Sequence, residues 1–399
     1  MTTGTQNDKA NGILTPAETV RAMITSAAQS TFAKSLRAVI LTGSLARNEA
    51  TFVRVEKGFK LLGDCDLLLL FQDDKALPTS AEIQSFESEA GQALATAGIS
   101  ALVSSAAIHS EYLRNLDPTI FAYELRTNGI VLCGDDRCLG IIPVFKPDQI
   151  PLEDAWRMLC NRMVECLEHA PSALANDPTL TAELAQSVAK LFLDMTTSLL
   201  VFVKGYRPTY DERLQELESL ALEEPSALPF PCEEFLKHVR TFTQWKLAPE
   251  SAVPADLESL KAGVAYAHLL YRWELERMTN TTDQVADSVL SDRWARKQSV
   301  RNRLRGWGYV VRACLRSKYR IDWLRWLALC ARRSPRQTVY ETGAELFFRL
   351  PCILSGRREN NWDRLRKQLP ISNSSSGDWC DLARDVVWNY KNFLTGTRA

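Results

Sequence analysis

Two short clusters in the first third of the chain have residue types and spacing that could do chemistry together. One is Asp64-Cys65-Asp66, which leads into the apolar run Asp66–Phe71 (DLLLLF). Residues two apart in a strand project to the same face, so the two carboxylates stand side by side and repel each other. Such a pair of hard oxygen donors invites a divalent cation, most naturally Mg²⁺, whose other positions are filled by substrate phosphates. The second cluster is Gly43-Ser44, placed between the apolar run Arg37–Thr42 (RAVILT) and the helix start Leu45-Ala46-Arg47. A glycine-serine turn ahead of a helix offers backbone N–H groups and a hydroxyl to a phosphate. Either cluster alone reads as an ordinary turn or a solvated strand edge. In combination they predict metal-assisted phosphoryl or nucleotidyl transfer, with Asp64 and Asp66 on the metal and Gly43 and Ser44 on the triphosphate.

These residues need strands to hold them, and the flanking sequence supplies the pattern. Thr15-Pro16 opens a helix that runs to about Lys34, with threonine as the cap and proline in the first turn. Arg37–Thr42 and Asp66–Phe71 are short, apolar and bounded by Gly43 and Gly63-Asp64, so both read as buried strands. Thr51–Lys60 alternates around Lys57-Gly58 and predicts a hairpin. A helix over Glu82–Ala97, a strand over Ile99–Ile108 and a short edge strand at Ile130–Leu132 complete the reading. From Pro151 onward the apolar spacing is helical almost throughout: Leu152–Ala170, Leu180–Lys204, Asp211–Leu222, Cys232–Gln244 and Ala255–Met278. The expected organisation is therefore α+β. A nucleotidyltransferase-like domain over 1–150 with a mixed sheet precedes a helical bundle over 151–285 and a basic helical region over 286–399.

The Leu41–Phe71 segment resembles the polymerase β-type nucleotidyltransferase superfamily, whose signature is apolar-Gly-Ser, a spacer, then Asp-apolar-Asp. Gly43-Ser44-Leu45-Ala46-Arg47 is similar to the Gly-Ser-x-Ala-Arg form of its minimal and kanamycin-nucleotidyltransferase-like members. The resemblance covers about residues 15–145, and a helical second domain also suits that group. It implies a mixed sheet flanked by helices, Mg²⁺, and transfer of a nucleoside monophosphate from a nucleoside triphosphate to a hydroxyl. Two features depart from the pattern. The spacer between Ser44 and Asp64 holds 19 residues, longer than usual, and the 51–60 hairpin accounts for the excess. The third carboxylate that active members draw from a following strand is missing from Ser104–Ile108, which leaves Glu111 and Glu124 as the acids that follow it. An enzyme acting on a small molecule, glycan precursor or protein is thus one expectation. A catalytically inactive nucleotide-sensing or interaction module is the other.

In the helical part, Lys190 and Asp194 interrupt an otherwise apolar helix four residues apart. Related enzymes present a basic side chain from the helical domain to the triphosphate, which the resemblance assigns to Lys190. An internal ion pair with Asp194 is the competing reading. Arg157, Asn161 and Arg162 share about one helix face and are candidates for the same cleft.

The chain carries 48 basic and 48 acidic residues, so no global field drives it onto nucleic acid or membrane. The balance is uneven, however. Fourteen Arg or Lys against Asp292 and Asp322 give residues 289–336 a charge of +12, offset by −12 elsewhere. Val300, Leu304, Trp307, Val311 and Cys314 predict an apolar stripe within this stretch. It could pack inside the protein, lie on an anionic membrane surface, or meet a polyanion such as nucleic acid, for which no recognised module is present. Ten cysteines without a CxxC pair, four scattered histidines, no basic-then-apolar leader and no uninterrupted apolar span read as a cytoplasmic protein with reduced thiols.

Overall fold

The computed structural model describes residues 14–175, 180–249, 252–317, 323–357, 362–372 and 378–394. It is an α+β protein with a mainly antiparallel sheet in its N-terminal part and helices thereafter. In chain order the first part holds α1 (Pro16–Phe32), β1 (Leu36–Leu41), α2 (Gly43–Ala46), β2 (Phe52–Val55), β3 (Gly58–Phe71) and α3 (Ser80–Thr96). β4 (Ile99–Ile108), α4 (Ser110–Arg114), α5 (Ile120–Asn128) and β5 (Ile130–Gly134) complete it. The helical part continues with α6 (Leu152–Ala175), α7 (Ala182–Phe202), α8 (Tyr210–Glu223), α9 (Cys232–Leu247), α10 (Leu257–Thr279), α11 (Asp287–Lys297) and α12 (Val300–Ser317). After these come α13 (Trp323–Cys330), α14 (Pro335–Leu354), α15 (Asp363–Arg366) and α16 (Trp379–Phe393).

The chain divides into two compact units rather than three. The first comprises 1–151 together with 204–213 and 243–252; the second holds the remainder. The expected boundary near 150 matches the first break, but 286–399 does not stand apart. α14 and α16 pack against α6 within the second unit, burying Val339, Leu346, Phe347, Leu382 and Val386.

In the first unit, β3 is the axis of the sheet. The hairpin and the Asp-x-Asp strand, read separately in the sequence, form one 14-residue strand. β4 runs parallel to it from Phe59↔Ile99 to Leu70↔Ile108. Along the opposite edge β3 pairs antiparallel with β2 over Gly58–Leu61 and with β1 over Leu67–Phe71. One edge therefore serves two successive partners, and the stretch between them, which contains Asp64 and Asp66, faces the turn that leaves β1. Alternation then sorts the side chains. Cys65, Leu67, Leu69 and Phe71 enter the core beneath α1 and α3, beside Val39, Leu41 and Phe86. Leu68 and Leu70 face a second, smaller core with Ile40, Ile108, Leu113 and Leu125. Both faces are covered, which is why this strand reads as an unbroken apolar run. Asp64 and Asp66 share the face of Leu68 and Leu70 and lie where that smaller core ends.

In the second unit, α7 is long and apolar enough to cross a membrane, yet 83% of its apolar window is buried inside the protein. α6 continues through Pro171, where the sequence suggested an end. Only the last turn lies beyond the proline, so little helical hydrogen bonding is lost. Ser198 donates to Glu274, a wholly buried carboxyl on α10 whose pKa burial pushes up to about 8. The folded protein thus keeps a proton that the unfolded chain would release above the usual carboxyl range. Stability contributed by this proton is complete at low pH and is lost as pH rises towards 8, with a slope of at most ~1.4 kcal/mol per pH unit. Urea denaturation of the wild type and Glu274→Gln at pH 5 and pH 8 should show the variant gaining relative stability at the higher pH; parallel profiles would contradict the burial of a neutral carboxyl.

Candidate active site

The turn after β1 depends on a glycine. Gly43 has φ +70°, and a Cβ at this position would stand 2.8 Å from Asp66 Oδ2. Glycine is required for the left-handed backbone and again for the close approach of the carboxylate. The Thr42 N–H donates to the Asp66 carbonyl at 3.0 Å, so turn and strand are also joined through the main chain. Ser44 follows in the single turn of α2 and is half-buried. Asp64 is exposed and Asp66 half-buried, while Cys65 between them points into the core. Burial pushes the Cys65 thiol up to about 12, with the two aspartates adding to the effect, so it is no nucleophile at neutral pH. The structure thus brings Gly43, Ser44, Asp64 and Asp66 together along one strand edge.

The third acid is not supplied by the neighbouring strand. Leu102 lies beside Asp64 and Ser104 beside Asp66 in the β3–β4 register, and both are exposed. Glu111 is exposed on α4. Glu124, on α5, is bound elsewhere. Its carboxylate accepts from Arg47 and Arg213 and, at 2.5 Å, from the Tyr206 hydroxyl. Arg47 also donates through Nε to Glu49 Oε2 at 2.7 Å and lies 5.6 Å from the centre of the Tyr210 ring. Arg213 sits 5.0 Å from the Tyr206 ring and 5.2 Å from that of Tyr210, and its Nε donates to the Arg207 carbonyl. Burial alone would lower the Arg213 pKa, but Tyr206, Glu124, Tyr210 and Glu49 outweigh it and hold the guanidinium charged. Burial pushes the Tyr206 hydroxyl well above its ordinary value.

The Tyr206–Tyr210 segment lies between the helices expected over Leu180–Lys204 and Asp211–Leu222, and sequence reasoning missed this network. The signal was a run of two tyrosines and an arginine closely followed by Arg213, but the carboxylate they meet lies more than 80 residues earlier. Glu124 is here a structural counter-ion rather than a metal ligand.

Lys190 is half-buried on α7 in the helical unit. Asp194, its expected partner, accepts from Arg162 Nε at 2.7 Å. Arg157 pairs with Glu153, and Asn161 accepts from the Tyr340 hydroxyl. These three polar residues of α6 are thus tied into contacts within their own unit. In α12 the buried stripe is Trp307, Val310 and Cys314, whereas Val300 and Leu304 are exposed, so the stripe is rotated from the one expected. Trp307 meets Trp326, with ring centres 5.5 Å apart, and its Nε1 donates to the Arg333 carbonyl at 2.9 Å. Lys318, Arg320 and Asp322 lie outside the described residues. The ten cysteines are free thiols, all at least half-buried.

No cluster of three or more side chains able to ligate a metal occurs among the described residues. Two carboxylates at a strand edge, one of them exposed, still suit Mg²⁺ that arrives with phosphate oxygens, because this ion keeps few protein ligands in such sites. Comparison of the chain with models of protein families, with curated proteins and with solved structures finds no match.

The Glu124 network carries its own test. Removing the carboxylate takes away the counter-charge that two buried guanidiniums share and leaves only Glu49 beside Arg47, so Glu124→Ala should cost roughly 3–5 kcal/mol in urea denaturation. Asp64→Asn should leave stability almost unchanged. A stable Glu124→Ala protein that loses only divalent-dependent nucleotide binding would instead make Glu124 a site ligand.

Proposed function

We propose that the N-terminal unit is a Mg²⁺-dependent nucleotidyltransferase that moves a nucleoside monophosphate from a nucleoside triphosphate to a hydroxyl of a small molecule, glycan precursor or protein. The observation that supports this most directly is the left-handed turn at Gly43, where a side chain would meet the Asp66 carboxylate. A left-handed glycine, a following serine and a pair of same-face aspartates converge at the place where one strand edge changes partners. In this reading Gly43 and Ser44 orient the phosphates through backbone N–H and hydroxyl groups. Asp64 and Asp66 hold Mg²⁺, which when bound would neutralise charge on the triphosphate. The acceptor hydroxyl attacks the α-phosphorus and gives its proton to solvent, the bond from the α-phosphorus to the oxygen bridging to the β-phosphate breaks, and pyrophosphate departs.

A specific observation favours a second reading, in which the same site binds nucleotide without turning it over. The acceptor must lose its proton, Glu124 is held by Arg47 and Arg213, and the β4 neighbour of Asp66 is a serine. A serine hydroxyl is a poor base at neutral pH.

Thermal unfolding with each nucleoside triphosphate, with and without Mg²⁺, tests the shared part of both readings. Nucleotide at a hundredfold excess over its Kd should stabilise the protein by about 2.7 kcal/mol, and only with the divalent ion. Asp64→Asn and Asp66→Asn should abolish that stabilisation while the unliganded variants melt as the wild type does. Stabilisation that survives in Asp66→Asn would remove the aspartates from the site. Release of pyrophosphate from the bound nucleotide then separates transferase from binding module.

A further inference from the structure

The second unit contains an open cavity of about 1120 Å³ whose wall is rich in arginine. It receives residues from α10, α11, the start of α12, the 331–333 segment, α14 and α15. Its carboxylates are already engaged. Asp292 and Glu341 both pair with Arg333, Glu345 pairs with Arg349 and Arg364, and Asp287 pairs with His268 and Arg272. Arg296, Arg303 and Arg332 remain, and none of them forms an ion pair among the described residues. The geometry is fixed from behind. Arg303 Nη1 donates to the Ala331 carbonyl at 2.8 Å, and Trp307 Nε1 donates to that of Arg333, so the segment bearing Arg332 and Arg333 is pinned to α12. Arg303 Nε is itself buried and has no hydrogen-bond partner among the described residues, so the cavity is faced by the rest of this guanidinium. At another part of the wall, Phe348 stacks on His268 with ring centres 4.3 Å apart.

Three guanidiniums in one concavity, none with an ion-pair partner among the described residues, match an anion that presents many oxygen atoms. We propose that this cavity binds the oligophosphate group of a small molecule, independently of any divalent cation. The stretch 289–336 then carries its excess charge for a reason, because Arg296, Arg303, Arg332 and Arg333 of that stretch all line one cavity. This site goes beyond the nucleotide site proposed above: it lies in the other unit, uses arginine instead of carboxylate, and needs no Mg²⁺. A phosphate-bearing metabolite and inorganic oligophosphate share the recognised chemistry. The Phe348–His268 stack is the feature that would favour a ligand with an attached ring.

Isothermal titration calorimetry of the full chain in EDTA, with tripolyphosphate and separately with ADP, tests the proposal. EDTA silences binding that requires a divalent ion at Asp64 and Asp66. One molecule of probe should bind the wild type, and the Asp64→Asn, Asp66→Asn double variant should bind equally well. Arg296 and Arg332 are exposed, so Arg296→Glu and Arg332→Glu should keep the melting temperature. Each should weaken binding by about tenfold or more, the size expected for losing a charge-assisted hydrogen bond. Arg301→Glu and Arg305→Glu, exposed on α12 and absent from the cavity wall, should leave affinity unchanged. ADP binding more tightly than tripolyphosphate would identify a ligand with an attached ring, and the reverse order an inorganic or open-chain oligophosphate. No binding of either probe, or equal weakening by the cavity and control reversals, would overturn the proposal.

Discussion

One carboxylate between two buried guanidiniums is the constraint on which the N-terminal unit most depends. Glu124 receives Arg47 from the end of the Gly43–Arg47 turn and Arg213 from the start of α8, with the Tyr206 hydroxyl completing its acceptor sites. Two positive charges taken out of water would be prohibitive without a counter-charge, and Glu49 supplies a second one to Arg47. The net effect is mechanical. The residue that ends the Gly43–Arg47 turn is held by an ion network, and the 206–213 segment belongs to the same unit through it.

The same network helps to fix the backbone of the turn. Glycine takes the left-handed conformation of Gly43 without strain, and the absence of a side chain lets the Asp66 carboxylate come close. Here the Thr42–Asp66 main-chain hydrogen bond restrains one side, and the Arg47 network restrains the other. Where β3 passes from β2 to β1 as its edge partner, the ladder has no strand to fill the gap, and this turn occupies it. Sheet topology and turn chemistry are therefore one arrangement.

Much of this was legible in the residues because it is local. RAVILT and DLLLLF, covered on both faces, read as strands; Thr15 caps α1 as expected, with Glu18 completing a capping box; and Gly43 needs the freedom that only glycine has. What sequence reading missed is non-local. The partners of Glu124 lie 77 to 89 residues away, so no spacing rule could remove it from the list of metal ligands. Asp194 likewise takes Arg162 from another helix, although Lys190 is one turn away on its own. The stripe on α12 was misplaced because Val310 and Val311 are equivalent by hydrophobicity. Only the position of Trp326 and the 331–333 segment selects the face with Val310.

The charge distribution follows the same logic of local need and distant answer. A segment of +12 within a neutral protein suggested a single outward role, yet its arginines divide by environment. Arg333 is consumed by Asp292 and Glu341, Arg303 is turned towards the backbone of Ala331, and Arg296 and Arg332 meet no acid among the described residues. Glu341 makes the division sharper: burial pushes its pKa up to about 7 even with Arg333 at 3.1 Å, so near neutral pH it offsets less than a full positive charge. Its Oε1 also lacks a hydrogen-bond partner. A cavity wall whose acids are paired or partly protonated, and whose remaining arginines have no acid partner among the described residues, has a net positive potential. The wall is thus complementary to an anion by the same rule that makes Glu124 complementary to Arg47 and Arg213, with the difference that here no described carboxylate completes it.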